Sequence, residues 1–143
     1  MVRKLEVEDI AKILVIADHL EDHLTCTRGE WIQFLISQVD NPKMHIIGDV
    51  DENGGIRGYM VLVNNILPPI FDSVVVLFVW TQHGSLCCDR DIIRPLTSSA
   101  RAWAKEIGAQ RGVATIPITH NEQFMNSVGG KLMAHVYEWT IED

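Results

Sequence analysis

The stretch that decides the fold reads MHIIGDV-DENGG-IRGYMVLV and covers residues 44–63. Its outer segments are rich in apolar residues, and the segment between them ends in Asn53-Gly54-Gly55, which can take positive φ. The pattern predicts a β-hairpin with strands over 44–50 and 56–63. Residues 73–81 are almost entirely apolar and β-branched, as expected of a strand covered on both faces. We therefore place residues 73–81 in the middle of a sheet that includes the hairpin.

Two helical patterns precede the hairpin. After a short candidate strand over 3–6, apolar residues recur at spacings of three and four from Ile10 to Leu20, which predicts an amphipathic helix. Thr27 is expected to cap a second helix, with the side chain of Glu30 reaching back to it.

A third helical pattern follows the central strand. Its apolar stripe runs from Ile92 to Ile107 and closes at Gly108. Asp91 is the expected N-cap residue, and Pro95 is expected within the first turn, where its missing N–H costs little.

The rest of the chain predicts a strand over 112–119, a short helix over 121–128 and a final strand over 132–141. The resulting order is βααβββαβαβ. A hairpin followed by right-handed crossovers predicts a mixed, mostly antiparallel central sheet with helices on both faces. The fold class is α/β, or α+β in some schemes, in a single domain over residues 1–143.

Composition narrows the function classes. The chain has 143 residues, with 12 basic and 19 acidic side chains and a net charge of −7, so neither nucleic acid nor an anionic membrane surface is an expected partner. No stretch approaches the ~20 apolar residues of a membrane span. Three cysteines, two of them adjacent, do not form a disulfide framework. We expect a soluble, cytoplasmic protein.

Several local signatures accompany this element order. Residues 3–10 place an arginine before a Glu-Asp pair that starts the first helix, and residues 56–59 place a glycine in the strand after a short hairpin. His120-Asn121 follows the penultimate strand, and Gly129-Gly130 follows the short helix. Together these features resemble the GNAT superfamily of acetyl-CoA-dependent N-acetyltransferases over nearly the whole chain. Within that superfamily, they resemble divergent GNAT-like proteins of phage and prophage origin.

The resemblance implies a GNAT-like fold and a divergent N-acyltransferase that moves an acetyl or acyl group from acyl-CoA to an unidentified amine. It implies cofactor contacts from backbone near the end of the fourth strand, from the loop that follows it, and from the asparagine after the penultimate strand. The corresponding residues are Val79, Trp80, Thr81, Gly84, Ser85, Leu86, Cys87 and Asn121. Asn121 is equally well explained as a helix cap with no ligand.

The loop over residues 82–91 departs from the family. GNAT enzymes carry a Gln/Arg-x-x-Gly-x-Gly/Ala loop there, because backbone N–H groups and a helix N-terminus must close on a pyrophosphate. With Ile92-Ile93 on the family's paired leucines, its small-residue positions fall on Ser85, Cys87 and Asp89. Carboxylates at 89 and 91 would compete with phosphate in the helix dipole's field, and arginines at 90 and 94 would offset them. The sequence leaves acetyl-CoA binding open.

Candidate catalytic groups are sparse. Asp72 is the nearest carboxylate to the central strand, and His83 has a side chain that titrates near neutral pH, so these two are the candidate bases. An exposed loop histidine is the plainer interpretation of His83. The tyrosine that many family members use as an acid corresponds here to Asn126, and Tyr137 is interpreted as a packing residue of the last strand.

The end of the first helix offers acceptor contacts. In GNAT proteins the first two helices shape the acceptor pocket, so Glu21, His23 and Glu30 are candidates for contacting a cationic, small-molecule or protein amine acceptor. His19, His23 and Cys26 share one helical face, but no matching ligand set appears elsewhere, so no metal is expected. A non-catalytic GNAT-fold protein that has lost coenzyme A binding is the alternative, and a homodimer is a candidate assembly.

Overall fold

The computed structural model describes residues 1–16, 27–66, 72–81, 90–109 and 111–114. Its strands are β1 (Val2–Lys4), β2 (Met44–Val50), β3 (Ile56–Ile66), β4 (Asp72–Thr81) and β5 (Arg111–Ala114). Its helices are α1 (Val7–Ile10), which continues as a 3₁₀ segment (Ala11–Ile16), α2 (Arg28–Gln38) and α3 (Arg90–Glu106).

The five strands form one sheet in the order β1-β2-β3-β4-β5. The first three neighbouring pairs are antiparallel, and β4 and β5 are parallel. This confirms the predicted mixed, mostly antiparallel sheet. At one end of the strands, Thr81 of β4 lies opposite Gly58 of β3, which lies opposite Asp49 near the end of β2. We call this the Thr81 end of the sheet.

The hairpin forms as predicted. Its first strand has the predicted bounds, and Gly54 takes a φ of 79° in the turn. The carboxylate of Asp51 accepts hydrogen bonds from the backbone N–H groups of Asn53 and Gly55, both at 2.8 Å. The returning strand is longer than the predicted 56–63, because pairing with β4 continues to Ile66.

Helices cover both faces of the sheet, and each face has its own apolar core. The α1–α2 face buries a cluster of eleven residues: Leu5, Ile10, Ile13, Trp31, Ile32, Leu35, Val39, Ile46, Ile56, Tyr59 and Val61. The α3 face buries Ile47, Met60, Leu62, Ile92, Leu96 and Ala100. The alternation of Tyr59 and Met60 between these clusters is the two-residue period of a strand that is covered on both faces.

The first helix differs from the predicted long amphipathic helix. It makes one α-helical turn and then tightens into the 3₁₀ segment. Ile10 and Ile13 are both fully buried. Because a 3₁₀ helix has three residues per turn, a spacing of three places such residues on one side.

Charged groups fix the entry to this helix. The carboxylate of Asp9 accepts hydrogen bonds from Arg3 Nη1 at 2.7 Å and Nη2 at 2.9 Å, and from the backbone N–H of Glu6 at 2.9 Å. The hydrogen bonds from Arg3 hold the pKa of the Asp9 carboxyl below its ordinary value, against the opposing effect of burial. The arginine and aspartate of the predicted opening signature therefore form one bidentate ion pair.

Two helix caps test the remaining predictions. The hydroxyl of Thr27 accepts a hydrogen bond from the Glu30 N–H at 3.2 Å, which confirms the predicted cap of α2. Asp91 is not the cap of α3, because the helix already includes Arg90 and places Asp91 in the first turn. The earlier start also moves Pro95 beyond the first turn, where its ring removes one hydrogen bond of the helix. Gly108 ends the helix with a φ of 80°, as expected of a C-terminal glycine.

Candidate functional site

The last residues of β4 form one part of the candidate site. Pairing with β3 shifts between Val61, which lies opposite Phe78, and Leu62, which lies opposite Val76. Leu77 is therefore the extra residue of a β-bulge, a feature that is common beside active sites because it redirects the strand. Beyond the bulge, β4 continues to Thr81 along β3.

The other edge of β4 is paired over only part of its length in the described residues. The described part of β5 pairs with Ser73–Val76 and reaches no further than Ala114. In a β-ladder, successive residues direct their N–H groups to alternate sides. Some N–H groups over 77–81 therefore point toward an edge where no strand of the described residues pairs with them.

The N-terminus of α3 lies at the same end of the sheet. β4 ends there, and β5 begins beside Ser73 at the opposite end, so α3 must run back across the sheet between the two. Near its C-terminal end, Trp103 stacks on His45 at the far end of β2, with ring centroids 5.0 Å apart. Near its N-terminal end, Ile92 belongs to the cluster of Ile47 and Met60. The partial positive charge of a helix N-terminus is thus directed to the Thr81 end.

The charges at the start of α3 are mixed. Asp91 and Arg94 are both exposed, one in the first turn and one just after it. A carboxylate in the first turn occupies the field that would favour a bound anion, whereas the arginine adds to that field. The described part of this helix therefore neither excludes an anion nor holds one by itself.

The first turn of α2 meets the Thr81 end from the other face. The indole N–H of Trp31 donates a hydrogen bond to the hydroxyl of Tyr59 at 3.2 Å, and both side chains are buried. Tyr59 lies opposite Trp80 in the sheet. Burial raises the pKa of the Tyr59 hydroxyl well above its ordinary value, so this hydroxyl is neutral at physiological pH. The exposed Glu30 lies one residue before Trp31, on the same turn.

A charged cluster lies beside this end on the α3 face. Asp49 is buried, and its carboxylate contacts Arg57 Nη2 at 2.5 Å and the α-ammonium group of Met1 at 3.0 Å. The carbonyl of Val50 also accepts a hydrogen bond from the Met1 ammonium group, at 2.8 Å. A second β-bulge in the pairing of β2 with β3 accompanies this cluster, since Asp49 lies opposite Gly58 and Val50 opposite Ile56. Arg57 is the residue that this bulge adds.

The structure brings some of the predicted site residues together and separates others. Val79, Trp80 and Thr81 end β4 beside the α2 turn that carries Glu30. Asp72 begins β4 and lies opposite Ile66, nine residues and about 30 Å from Thr81. This separation places Asp72 at the opposite end of β4 from Val79, Trp80 and Thr81. Predicted site residues outside the described ranges are Glu21, His23, His83, Gly84, Ser85, Leu86, Cys87 and Asn121.

Sequence reasoning missed Arg57, Asp49 and the Trp31–Tyr59 pair. The available signal was a carboxylate inside an otherwise apolar strand, with an arginine eight residues later across a tight turn. Such a carboxylate is expected to be paired when it is buried. Among the described residues, no group of histidine, cysteine or acidic side chains is placed to hold a metal ion. No helix in the described ranges is long and apolar enough to cross a membrane.

Comparison with known proteins identifies the fold. No protein-family model and no curated protein matches the sequence. Among solved structures, the chain is similar to AAC(6')-Iy in complex with the bisubstrate analog CoA-S-monomethyl-acetylneamine, at 8% identity and a TM-score of 0.78, over 100% of this chain and 98% of that chain. It is also similar to a ribosomal-protein-alanine N-acetyltransferase from Brucella melitensis biovar Abortus 2308, at 12% identity and a TM-score of 0.70, over 100% of this chain and 99% of that chain.

A further similar structure is called a transcriptional regulator, from Bacillus halodurans C-125, at 14% identity and a TM-score of 0.79, over 99% of each chain. At such identities the likeness shows the fold. The chain has the GNAT fold, as the resemblance in its sequence implied.

Proposed function

We propose that this protein is an acyl-CoA-dependent N-acyltransferase that transfers an acetyl or related acyl group directly to an amine. The observation that carries the proposal is the meeting of two features at the Thr81 end. The bulged end of β4 directs backbone N–H groups to an edge without a described partner strand, and α3 directs its N-terminus to the same end. Two of the structures that share this fold are an N-acetyltransferase and a protein bound to a CoA-containing analog.

The residues present fit an acyl-CoA donor in part. Acyl-CoA would supply the activated thioester. Backbone N–H groups among Val79, Trp80 and Thr81 would donate to the thioester oxygen as negative charge develops on it, a role that needs no special side chain. The α3 N-terminus and Arg94 would hold phosphate, against the opposing charge of Asp91.

The acceptor side is proposed at the turn of α2. Glu30 is exposed next to the buried, hydrogen-bonded Trp31–Tyr59 pair. Its carboxylate can therefore bind a cationic amine at the surface of the protein. Glu21 and His23 would complete this side. His83 follows Thr81 by two residues in the sequence and takes the role of base in place of Asp72, since its ordinary pKa lies near neutral.

Titration with acetyl-CoA and free CoA at millimolar concentration tests the proposal. Thermal unfolding should shift upward, because a ligand that binds only the native state stabilises it by about 2.7 kcal/mol at a hundredfold excess over its dissociation constant. Thiol release from acetyl-CoA in the presence of a panel of primary amines then tests transfer. The absence of any shift with either ligand would overturn the acyltransferase proposal.

A non-catalytic binding protein on the same scaffold is the second candidate. The observation that favours it is Asp91, an exposed carboxylate in the first turn of α3. A carboxylate at this position repels a phosphate that would bind at the helix N-terminus. The same scaffold also occurs in a structure called a transcriptional regulator. Binding of CoA without thiol release on any amine of the panel supports this second candidate.

A further inference from the structure

Arg57 combines two properties that a purely structural ion pair does not need. Its side chain is 40% exposed although its partner, Asp49, is buried. Its Nε is buried and has no hydrogen-bond partner in the described part of the chain. A buried donor without a partner loses its hydrogen bonds to water and gains none in return, so its retention calls for an explanation.

The charge of the cluster is unbalanced. The single carboxylate of Asp49 faces two cations, the guanidinium of Arg57 at 2.5 Å and the α-ammonium group of Met1 at 3.0 Å. Among the described residues, the cluster therefore holds one more cation than carboxylate. Because the Asp49 contact uses only Nη2 of Arg57, the fork of the guanidinium is not saturated by this carboxylate.

The topology places this excess charge at the N-terminal end of α3. Ile47 and Met60 pack with Ile92 of α3 on one face of the sheet. Asp49 lies two residues beyond Ile47 on the same face, which is about 7 Å further toward the Thr81 end. Arg57, as the bulged residue, is held by Asp49 on this face. The cluster thus lies beyond the first turn of α3, in the direction in which that helix points.

We propose that Arg57 is a phosphate-contacting residue, which supplies positive charge from the β2–β3 hairpin to offset the carboxylate of Asp91 in the first turn of α3. Asp49 is the positioning residue: it keeps the guanidinium on the α3 face. The ligand group is a phosphate or pyrophosphate, and the inference rests on the proposed function in taking that group to belong to CoA. Asp91 would otherwise repel such a group, and Arg57 together with Arg94 offsets it.

The test compares two ligands that differ in phosphate. Isothermal titration of CoA and of pantetheine, which has no phosphate, is carried out on the wild-type chain, Arg57→Gln and Lys43→Gln. Lys43 is an exposed cation at the opposite end of β2, so Lys43→Gln removes the same net charge away from the cluster. We expect Arg57→Gln to weaken CoA binding by about tenfold or more and to leave pantetheine binding unchanged. Lys43→Gln should change neither affinity.

Folding is controlled separately. Arg57→Gln leaves Asp49 with one cation, so the double variant Asp49→Asn/Arg57→Gln, which removes both charges of the pair, is titrated in parallel after circular dichroism confirms its fold. Arg57→Lys should retain part of the CoA affinity, because a lysine keeps the charge but lacks the planar fork. Unchanged CoA binding in both Gln variants would overturn the role of Arg57, and so would equal losses for CoA and pantetheine.

Failure of the proposed function has a different signature. A wild-type chain that binds neither CoA nor pantetheine overturns the acyltransferase proposal. Titration with inorganic pyrophosphate then decides about Arg57 alone. Pyrophosphate binding that Arg57→Gln abolishes would retain the anion site, whereas a wild-type chain that does not bind pyrophosphate would overturn it.

Discussion

The two faces of the sheet have similar apolar cores but pair their polar groups differently. On the α1–α2 face, the Asp9 carboxylate accepts three hydrogen bonds, and the Trp31 indole meets the Tyr59 hydroxyl. On the α3 face, Asp49 is shared by two cations, and Arg57 keeps a buried N–H without a described partner. The first arrangement serves the fold, whereas the second leaves positive charge beside the candidate site.

The largest loss of stability should be similar on the two faces of the sheet, because each face has a buried leucine at its core. Leu35 of α2 and Leu96 of α3 are each 0% exposed. Truncating either leucine to alanine should lower the free energy of unfolding by about 2–5 kcal/mol, through lost burial and the cavity left behind. Urea unfolding measures this cost. Phe34→Ala is the control on α2, since Phe34 is 42% exposed and should lose much less. A small cost for one leucine only would show that its face is not a true core.

Asp9→Asn should break the closed arrangement of the α1–α2 face. The variant loses the charge that Arg3 pairs with, and we expect a cost of about 2 kcal/mol, moderated by the partial exposure of Arg3. Urea unfolding at pH 7 gives this value.

The same variant has a pH signature. Because the pKa of Asp9 is lowered in the folded state, its stabilisation is present above the unfolded-state pKa of about 4 and is lost as pH falls through the folded-state value. The stability difference between wild type and Asp9→Asn should therefore shrink below about pH 4. A difference that stays constant from pH 7 to pH 3 would contradict the assigned ion pair.

Tyr59→Phe tests the polar contact beside the candidate acceptor side. It removes the acceptor of the Trp31 N–H and should lower the free energy of unfolding by about 1.5 kcal/mol. A double-mutant cycle with Trp31→Phe measures the coupling energy between the two side chains. Additive losses in that cycle would mean that the hydrogen bond contributes nothing.

The smallest changes in stability should come from glycine-to-alanine substitutions, and they should have opposite signs in α2 and at the end of α3. Gly29 lies in α2 with only the Thr27 hydroxyl within 4 Å of an added Cβ, at 3.9 Å, so Gly29→Ala should stabilise the protein by about 0.5 kcal/mol. Gly108 ends α3 with a φ of 80°, so Gly108→Ala should destabilise it by about 1 kcal/mol even though nothing lies within 4 Å. Thermal unfolding of both variants checks the signs. Equal shifts would argue against the left-handed end of α3.

Local sequence patterns predicted the elements whose signals are contained within a few residues. The strand over Met44–Val50 and the turn glycine at 54 follow from a short segment rich in apolar residues and one required φ. The Thr27 cap and the glycine after α3 are equally local. The wrong Asp91 cap and the 3₁₀ segment within the first helix are also local failures, because apolar spacing alone does not distinguish helix type or the first turn.

The candidate site was only partly accessible from sequence. The resemblance predicts a site at the end of β4, and the strand order fixes where that end lies in the sheet. The predicted strand over 73–81 already implied that Asp72 and Thr81 lie at opposite ends, but the sequence could not show that Arg57 and Asp49 pair across a bulge. That pairing depends on strand register, and a bulge changes the register by one residue without a clear mark in the sequence.

The sequence by itself determined that the chain has a hairpin, a central apolar strand and an amphipathic helix after it, because these elements depend on near neighbours. Only the tertiary structure decided which charged groups meet. Asp49 is eight residues from Arg57 and forty-eight from Met1, and the pairing of β2 with β1 and β3 brings all three within hydrogen-bond distance. Such pairings follow from which face each residue occupies once the sheet is assembled, and no local preference of the chain specifies them.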